Sequence, residues 1–266
     1  FKDTITGNSS SNKISGGAGA DLIYGSNGAG DIIDGGIDGT HDSSIDVLDY
    51  SKLDQKITLT TNTAGDTYSV SKYGGGVDTV TTIEKVIGTD YADTLTGGDN
   101  ADTFEGGLGN DELNGGKGAD TLTGGAGANT LTSRTNNDIL YGSADKDTYK
   151  ATSYNDGDDS YTDSSGNDTV DYSAITDNTY HLEVDLTAGK AYIKDSQSTP
   201  VQYQMDTLSG IENIIGTSGN DIVTGDDTAN IINTGAGSDT IHGGKGADLI
   251  TTGTGNDTVY SGEGAD

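Results

Sequence analysis

The sequence predicts an all-β solenoid, and three observations predict it. A nine-residue repeat, made of a glycine turn followed by three extended residues, recurs in phase over most of the chain. The eighth position of each repeat is apolar while its neighbours are polar. Two longer segments break the phase, and they alternate apolar and polar residues with the period of two expected of strands.

The first block spans residues 1–45. GGAGADLIY (16–24) is a full repeat with Asp21 at its sixth position and Ile23 at its eighth, and GSNGAGDIID (25–34) carries one inserted residue with Asp31 and Ile33. GNSSSNKIS (7–15) is a degenerate copy with Asn12 in the acidic place. Residues 46–87 form a β insert, where DVLDYS (46–51) is followed by KITLT (56–60), TYSVSKY (67–73) and VDTV (77–80), which read as strands before TIEKVIGT (82–89). Residues 88–167 return to phase, with sixth positions Asp93, Asp102, Asp111, Asp120, Asn129, Asp138 and Asp147. A looser copy carries Asp159 and Tyr161, and DSSGNDTVD (163–171) carries Asp168 and Val170.

Residues 168–215 repeat the interruption. DTVDYS (168–173) echoes DVLDYS, GIENIIGT (210–217) echoes TIEKVIGT, and Pro200 suits an edge or turn. Residues 216–266 hold the last block, with Asp221, Asn230, Asp239, Asp248, Asp257 and Asp266 at sixth positions. Because the chain opens and closes in mid-repeat, it reads as a fragment of a longer protein, with an unfinished solenoid at both ends.

Composition sharpens the question of what holds such a chain together. The hydrophobic fraction is 30%, the formal net charge is −30, and 43 of the 266 residues are glycine. That balance belongs to disordered chains unless a strict repeat and a cation offset entropy and repulsion. There is no cysteine, so no disulfide framework. A pI near 4.1 excludes nucleic acid and anionic membrane surfaces as natural partners. No apolar run approaches membrane-spanning length, so no membrane insertion is expected, and the polar stretch Phe1 to Ser10 carries no signal-peptide pattern.

Two repeats make one coil, so equivalent turns recur every eighteen residues. Asp93 is then expected over Asp111, Asp102 over Asp120, and Asp120 over Asp138. In the last block Asp221, Asp239 and Asp257 stack on one side, and Asn230, Asp248 and Asp266 on the other. Strands in neighbouring rungs lie about 4.8 Å apart, and carboxylates stacked at that distance repel unless a cation lies between them. A site of carboxylates and backbone carbonyls is all oxygen, which suits a hard ion and, with flexible geometry, calcium above magnesium. Zinc and copper would want Cys or His, and His41, His181 and His242 are far apart in sequence.

GGAGADLIY, GGLGNDELN and GGKGADTLT resemble the GGxGxDxUx pattern of the RTX, or hemolysin-type calcium-binding, repeat family. The resemblance covers nearly the whole chain. It implies a parallel β-roll, with blocks linked by the longer β-strand inserts. It also implies multiple calcium ions held between stacked turns by the sixth-position residues named above. In the best-preserved repeats the carbonyls of Gly107, Gly109, Gly116, Gly118, Gly244 and Gly246 would join them. Asn12, Asn129 and Asn230 depart from the pattern and would give weaker sites, since an amide brings oxygen but no charge. SRTNNDILY (133–141) lacks the turn glycines, which puts its site in doubt.

The plainer reading of an Asp in a turn is that it caps its own backbone. Asp38, Asp42, Asp66, Asp156 and Asp158 lie out of phase and read as solvated loop charges, although Asp156 to Asp159 could form one irregular site. Glu84 and Glu212 occupy matching places in the two inserts and suit packing or hydrogen bonding. No HExxH, G-x-S-x-G or P-loop motif is present, and the paired carboxylates fall in repeat register, so the chain does not read as an enzyme.

The expected function is a calcium-stabilised extracellular structural module of a bacterial surface protein, an S-layer or adhesin scaffold, associated with type I secretion. It would fold on calcium and self-associate through open solenoid ends. The alternative is the repeat region of a secreted hydrolase or toxin whose catalytic part lies elsewhere. Ice binding would need a regular Thr and Asn array, which only TGTGND (252–257) offers.

Overall fold

The computed structural model describes residues 1–36, 44–62, 67–196 and 202–266. His41, Asp38, Asp42, Asp66 and Pro200 lie outside the described residues. Every helix or strand among the described residues is a strand, and most strands are three residues long. That length follows from the repeat: six residues turn, three extend, and only the middle one points inward. The chain forms two compact units, Phe1–Thr130 and Leu131–Asp266.

In the first unit one sheet runs in the order Thr4–Thr6, Leu22–Tyr24, Val47–Asp49, Lys85–Ile87, Thr103–Leu108 and Thr121–Ala126, with all neighbours parallel. The facing sheet holds Lys13–Ser15, Ile32–Asp34, Val77–Thr81, Thr67–Lys72, Ile57–Thr61, Thr94–Thr96 and Glu112–Asn114. Within it the strands between Ile57 and Thr81 form an antiparallel meander, joined in parallel to the rungs on either side.

The second unit repeats the plan. One sheet contains Ile139–Tyr141, Ser160–Thr162, Gln202–Ser209, Lys190–Asp195, Tyr180–Asp185, Ile222–Thr224, Thr240–His242 and Thr258–Tyr260. Its meander is again antiparallel inside and parallel outside. The other sheet contains Thr148–Lys150, Thr169–Asp171, Asn213–Ile215, Ile231–Asn233 and Leu249–Thr251, all parallel. The architecture is the parallel β-roll. The inserts are rungs of it, because their strands pair in the same sheets as the short ones.

The core is a pair of ladders. Ile23, Leu48, Val86, Phe104 and Leu122 line up in one sheet, and Leu59, Leu95 and Leu113 in the other. All are buried to 1% exposure or less. Each such side chain contributes about 1.5–3 kcal/mol by leaving water, so one apolar residue in nine can sustain a stack. Register holds where spacing does not: Ile23 pairs with Leu48 and Leu140 with Tyr161.

Candidate metal centre

The turn carbons set the geometry. Sixth-position acids precede strands, and in most of them Oδ1 accepts a backbone N–H from one coil earlier, while Asp102 Oδ1 accepts the Tyr68 hydroxyl. Asp93 N–H donates to Asp111 Oδ1 at 2.8 Å, Asp102 N–H to Asp120 Oδ1 at 2.7 Å, and Asp111 N–H to Asn129 Oδ1 at 2.9 Å. In the last block Asp221 donates to Asp239, Asp239 to Asp257, Asn230 to Asp248 and Asp248 to Asp266. Asp3 and Asp147 donate to Asp21 and Asp168. The ladder connects equivalent turns on one side of the roll, eighteen residues apart in the regular blocks.

The second carboxylate oxygen divides the turns into two kinds. In the first, the N–H of the second residue of the same turn closes onto it. Thr89 donates to Asp93 Oδ2, Gly98 to Asp102 Oδ2, Arg134 to Asp138 Oδ2 and Thr217 to Asp221 Oδ2. In the second kind that residue is a glycine at positive φ, such as Gly17, Gly107, Gly235 or Gly244. Such a φ is open to glycine and strained for other residues. There the Oδ2 atoms of Asp21, Asp111, Asp239 and Asp248 are buried without a hydrogen-bond partner. A buried, unsatisfied charged oxygen costs about 1–3 kcal/mol or more, so these turns call for a positive group.

Space for one exists. Gly106 has no β-carbon, and one there would fall 2.4 Å from Asp111 Oδ2 and 2.5 Å from the Gly124 carbonyl oxygen. Gly107, Gly109, Gly116, Gly118, Gly244 and Gly246 all have positive φ.

Two places show a positive donor already installed. Asn129 does not offer its oxygen to its turn. Its Nδ2 donates to the carbonyls of Gly125 and Gly127, at 2.9 and 3.0 Å. The second and fourth carbonyls of a repeat therefore converge beside the sixth side chain, and here the amide takes the place a cation would. Asn230 differs: its Oδ1 accepts the Asp226 N–H of its own turn at 3.0 Å, and its Nδ2 donates to the Glu212 carbonyl outside that turn at 2.8 Å. The second case is Lys72, fully buried, whose Nζ donates to Asp78 Oδ1 at 2.6 Å and to the Ser26 carbonyl at 2.9 Å. Ser26 is the second residue of its turn, and its hydroxyl also donates to Asp31 Oδ2 at 2.9 Å. Beside Asp31 the positive charge belongs to the chain itself.

The geometry therefore offers all-oxygen cradles, built from a carboxylate and convergent carbonyls, that fit a hard cation such as calcium. A family profile, the RTX calcium-binding nonapeptide repeat (4 copies), matches residues 1–32, 80–113, 87–122, 114–149, 206–241 and 234–266, more than half of the chain. The chain belongs to the RTX calcium-binding repeat family. Calcium is accordingly the ion of the RTX turns. No curated protein sequence matches the chain. Among solved structures the extracellular lipase LipA from Serratia marcescens is similar at 17% identity with a TM-score of 0.27, over 79% of this chain and 36% of that one. The RTX chain spans about a third of that protein's length.

The RTX ladder also includes acids that the phase count passes over. Asp31 N–H donates to Asp78 Oδ1, Asp21 N–H to Asp46 Oδ1 and Asp159 N–H to Asp206 Oδ1. Glu84 Oε2 and Glu212 Oε2 accept the N–H groups of Asp46 and Asp168, the hydrogen-bonding role their matched positions suggest. Each stands two residues before a buried aliphatic: DVL, DTV, EKV, DTL and ENI. That triplet was the available signal, hidden because the inserts lack the glycine turn.

Burial without compensation raises the acids. It pushes Asp111 up to about 7, opposed by the N–H of Asp93 and assisted by the Asp93 charge. Asp221 is likewise pushed up to about 7, opposed by Thr217 and the Leu182 N–H. Asp206, beside Asp159, is raised well above the carboxylate range by burial. Asp156 is buried too, closed by the N–H groups of Thr152 and Ser153, and its Oδ1 has no hydrogen-bond partner. Asp158 is exposed and accepts the Met205 N–H. His181 contacts Glu183 and His242 stacks on Tyr260, apart from the acid ladder.

Proposed function

We propose that this RTX chain is a calcium-folded structural module of a secreted bacterial surface protein, an S-layer or adhesin scaffold. One observation carries the reading: acids whose buried second oxygen faces its own glycine turn without a hydrogen bond, repeated through both units. Such turns are complete only with a cation, and they make up the stack itself. The cation is then a part of the fold. Calcium binding to the folded state alone drives folding by mass action.

Segments 1–45, 88–167 and 216–266 are the calcium blocks in this reading, and 46–87 and 168–215 are inserts that extend the stack. Asp21, Asp111, Asp120, Asp147, Asp168, Asp239 and Asp248 are the ion-facing acids, with the carbonyls of Gly107, Gly109, Gly116, Gly118, Gly244 and Gly246. Asp93, Asp102, Asp138 and Asp221 close their own turns. The charges of Asp257 and Asp266 support the turns of the last block. Extracellular calcium modules bind at about 10⁻⁴–10⁻³ M, which suits a chain unfolded inside a cell and folded outside.

The test is circular dichroism of chelated protein during a calcium titration, followed by size analysis. The expected outcome is a rise in β signal with calcium that equal magnesium does not give. A β signal indifferent to calcium would sink the proposal, and a hydrolase motif in adjoining sequence would replace the scaffold role with secretion and folding of an enzyme.

A further inference from the structure

One repeat opens on an acid. DSSGNDTVD (163–171) places Asp163 where the other repeats in phase open on glycine, serine or threonine. The second unit brings this carboxylate against two sixth-position acids. Ligand oxygens of Asp147, Asp163 and Asp168 all lie within 4.8 Å of one another. The three residues are 0%, 7% and 0% exposed.

Each oxygen has a defined place. Asp168 Oδ1 accepts the Asp147 N–H at 2.8 Å, while its Oδ2 is buried with no hydrogen-bond partner. Asp163 Oδ1 accepts the N–H groups of Ser164 at 2.6 Å and Ser165 at 3.2 Å. Asp163 Oδ2 accepts the Tyr149 hydroxyl at 2.9 Å and the Ser143 N–H at 3.4 Å. Glycine again leaves the room. A β-carbon on Gly142 would lie 2.2 Å from Asp163 Oδ2, 2.4 Å from Asp147 Oδ2 and 2.4 Å from the Tyr149 hydroxyl. On the other side, one on Gly166 would lie 2.5 Å from Asp168 Oδ2 and 2.4 Å from the Asp145 carbonyl.

We propose that Asp147, Asp163 and Asp168 form a three-carboxylate cation site that fills before the other turns, taking calcium or, in its place, a trivalent lanthanide. The inference rests on the calcium reading and adds Asp163, a residue outside the repeat pattern, to the ligands. Three buried like charges repel more than two, so their neutralisation by an ion releases more free energy. Affinity in oxygen cages is tuned by the number of charged ligands.

Tyrosine-sensitised terbium luminescence tests this in the full chain, which has no tryptophan to compete. The Tyr149 phenol touches Asp163 and is the antenna for this site. The first equivalent of terbium should give a distinct early step. Asp163→Gly, which restores the ordinary first residue, should move that step roughly tenfold or more to higher concentration while later equivalents still bind. Tyr149→Phe should dim the first step more than the later ones. Superimposable titrations of Asp163→Gly and the parent chain would overturn the proposal. Should Asp163→Gly not fold, an undimmed first step in Tyr149→Phe would overturn it equally. Absence of terbium and calcium binding at every turn would instead overturn the calcium reading itself.

Discussion

Asn129 differs by one atom from the residue its neighbours carry. Its Nδ2 donates to the carbonyls of Gly125 and Gly127, while its Oδ1 serves the ladder. Asn129→Asp would keep the ladder and put a charged acceptor where a donor now stands. The expected outcome is one more calcium bound per chain by isothermal titration; an unchanged stoichiometry would show that the carbonyls alone do not complete the cradle. At this scale the sequence is legible where phase is kept. Asp111 and Asp239 announce themselves by position alone. Asp46, Asp78 and Asp206 do not, because they hold ladder places within inserts whose turns are longer. Nor could the repeat pattern tell an acid closed by its own turn, such as Asp93, from an open one. That difference depends on the conformation of one backbone N–H. Lys72 is a surrogate cation only because the meander returns it to Ser26 and Asp78, a long-range event without local signature.

The strand is a minimal element: three residues, one of them inward. Leu113 is fully buried and pairs in register with Leu95. A stack with one core side chain per strand has little slack to refill a void, so Leu113→Ala should cost about 2–5 kcal/mol. Urea unfolding in saturating calcium measures it, and a loss below 1 kcal/mol would mean that the rungs can collapse together. Element type and register were readable from the eighth-position ladder, since a fixed period leaves one way to align apolar residues. The inserts were readable as strands by alternation. Their sheet membership was not, because a three-stranded meander can hang off a roll or extend it. The structure extends it, as Leu59 pairs with Leu95 and Ile33 with Val80.

Across the molecule the net charge of −30 and the raised acids work together. Asp111 and Asp221 have folded values of about 7 against an ordinary 3.8. Between those values the folded chain keeps protons that the unfolded chain has released. Stability without calcium is therefore fullest below about 4, falls as pH rises through that window, and levels off above 7. Calcium needs the ionised acids, so its affinity should climb through the same window. Chelated chain should regain β signal on acidification, and the calcium midpoint should shift to lower concentration from pH 5 to pH 7.5. A midpoint independent of pH would mean that the acids are ionised before calcium arrives.

The N–H to Oδ1 ladder has a direction: its links run from a backbone donor to an acid, or at Asn129 an amide, on the following coil. A cut across the roll therefore exposes donors on one face and acceptors on the other. Two identical faces brought together would set donor against donor, so a two-fold dimer through these faces is disfavoured. Contact between copies through these faces would be head-to-tail, a heterologous geometry that gives filaments where the rotation does not close into a ring. The same polarity that orders each coil within the chain would thus order whole molecules along a line.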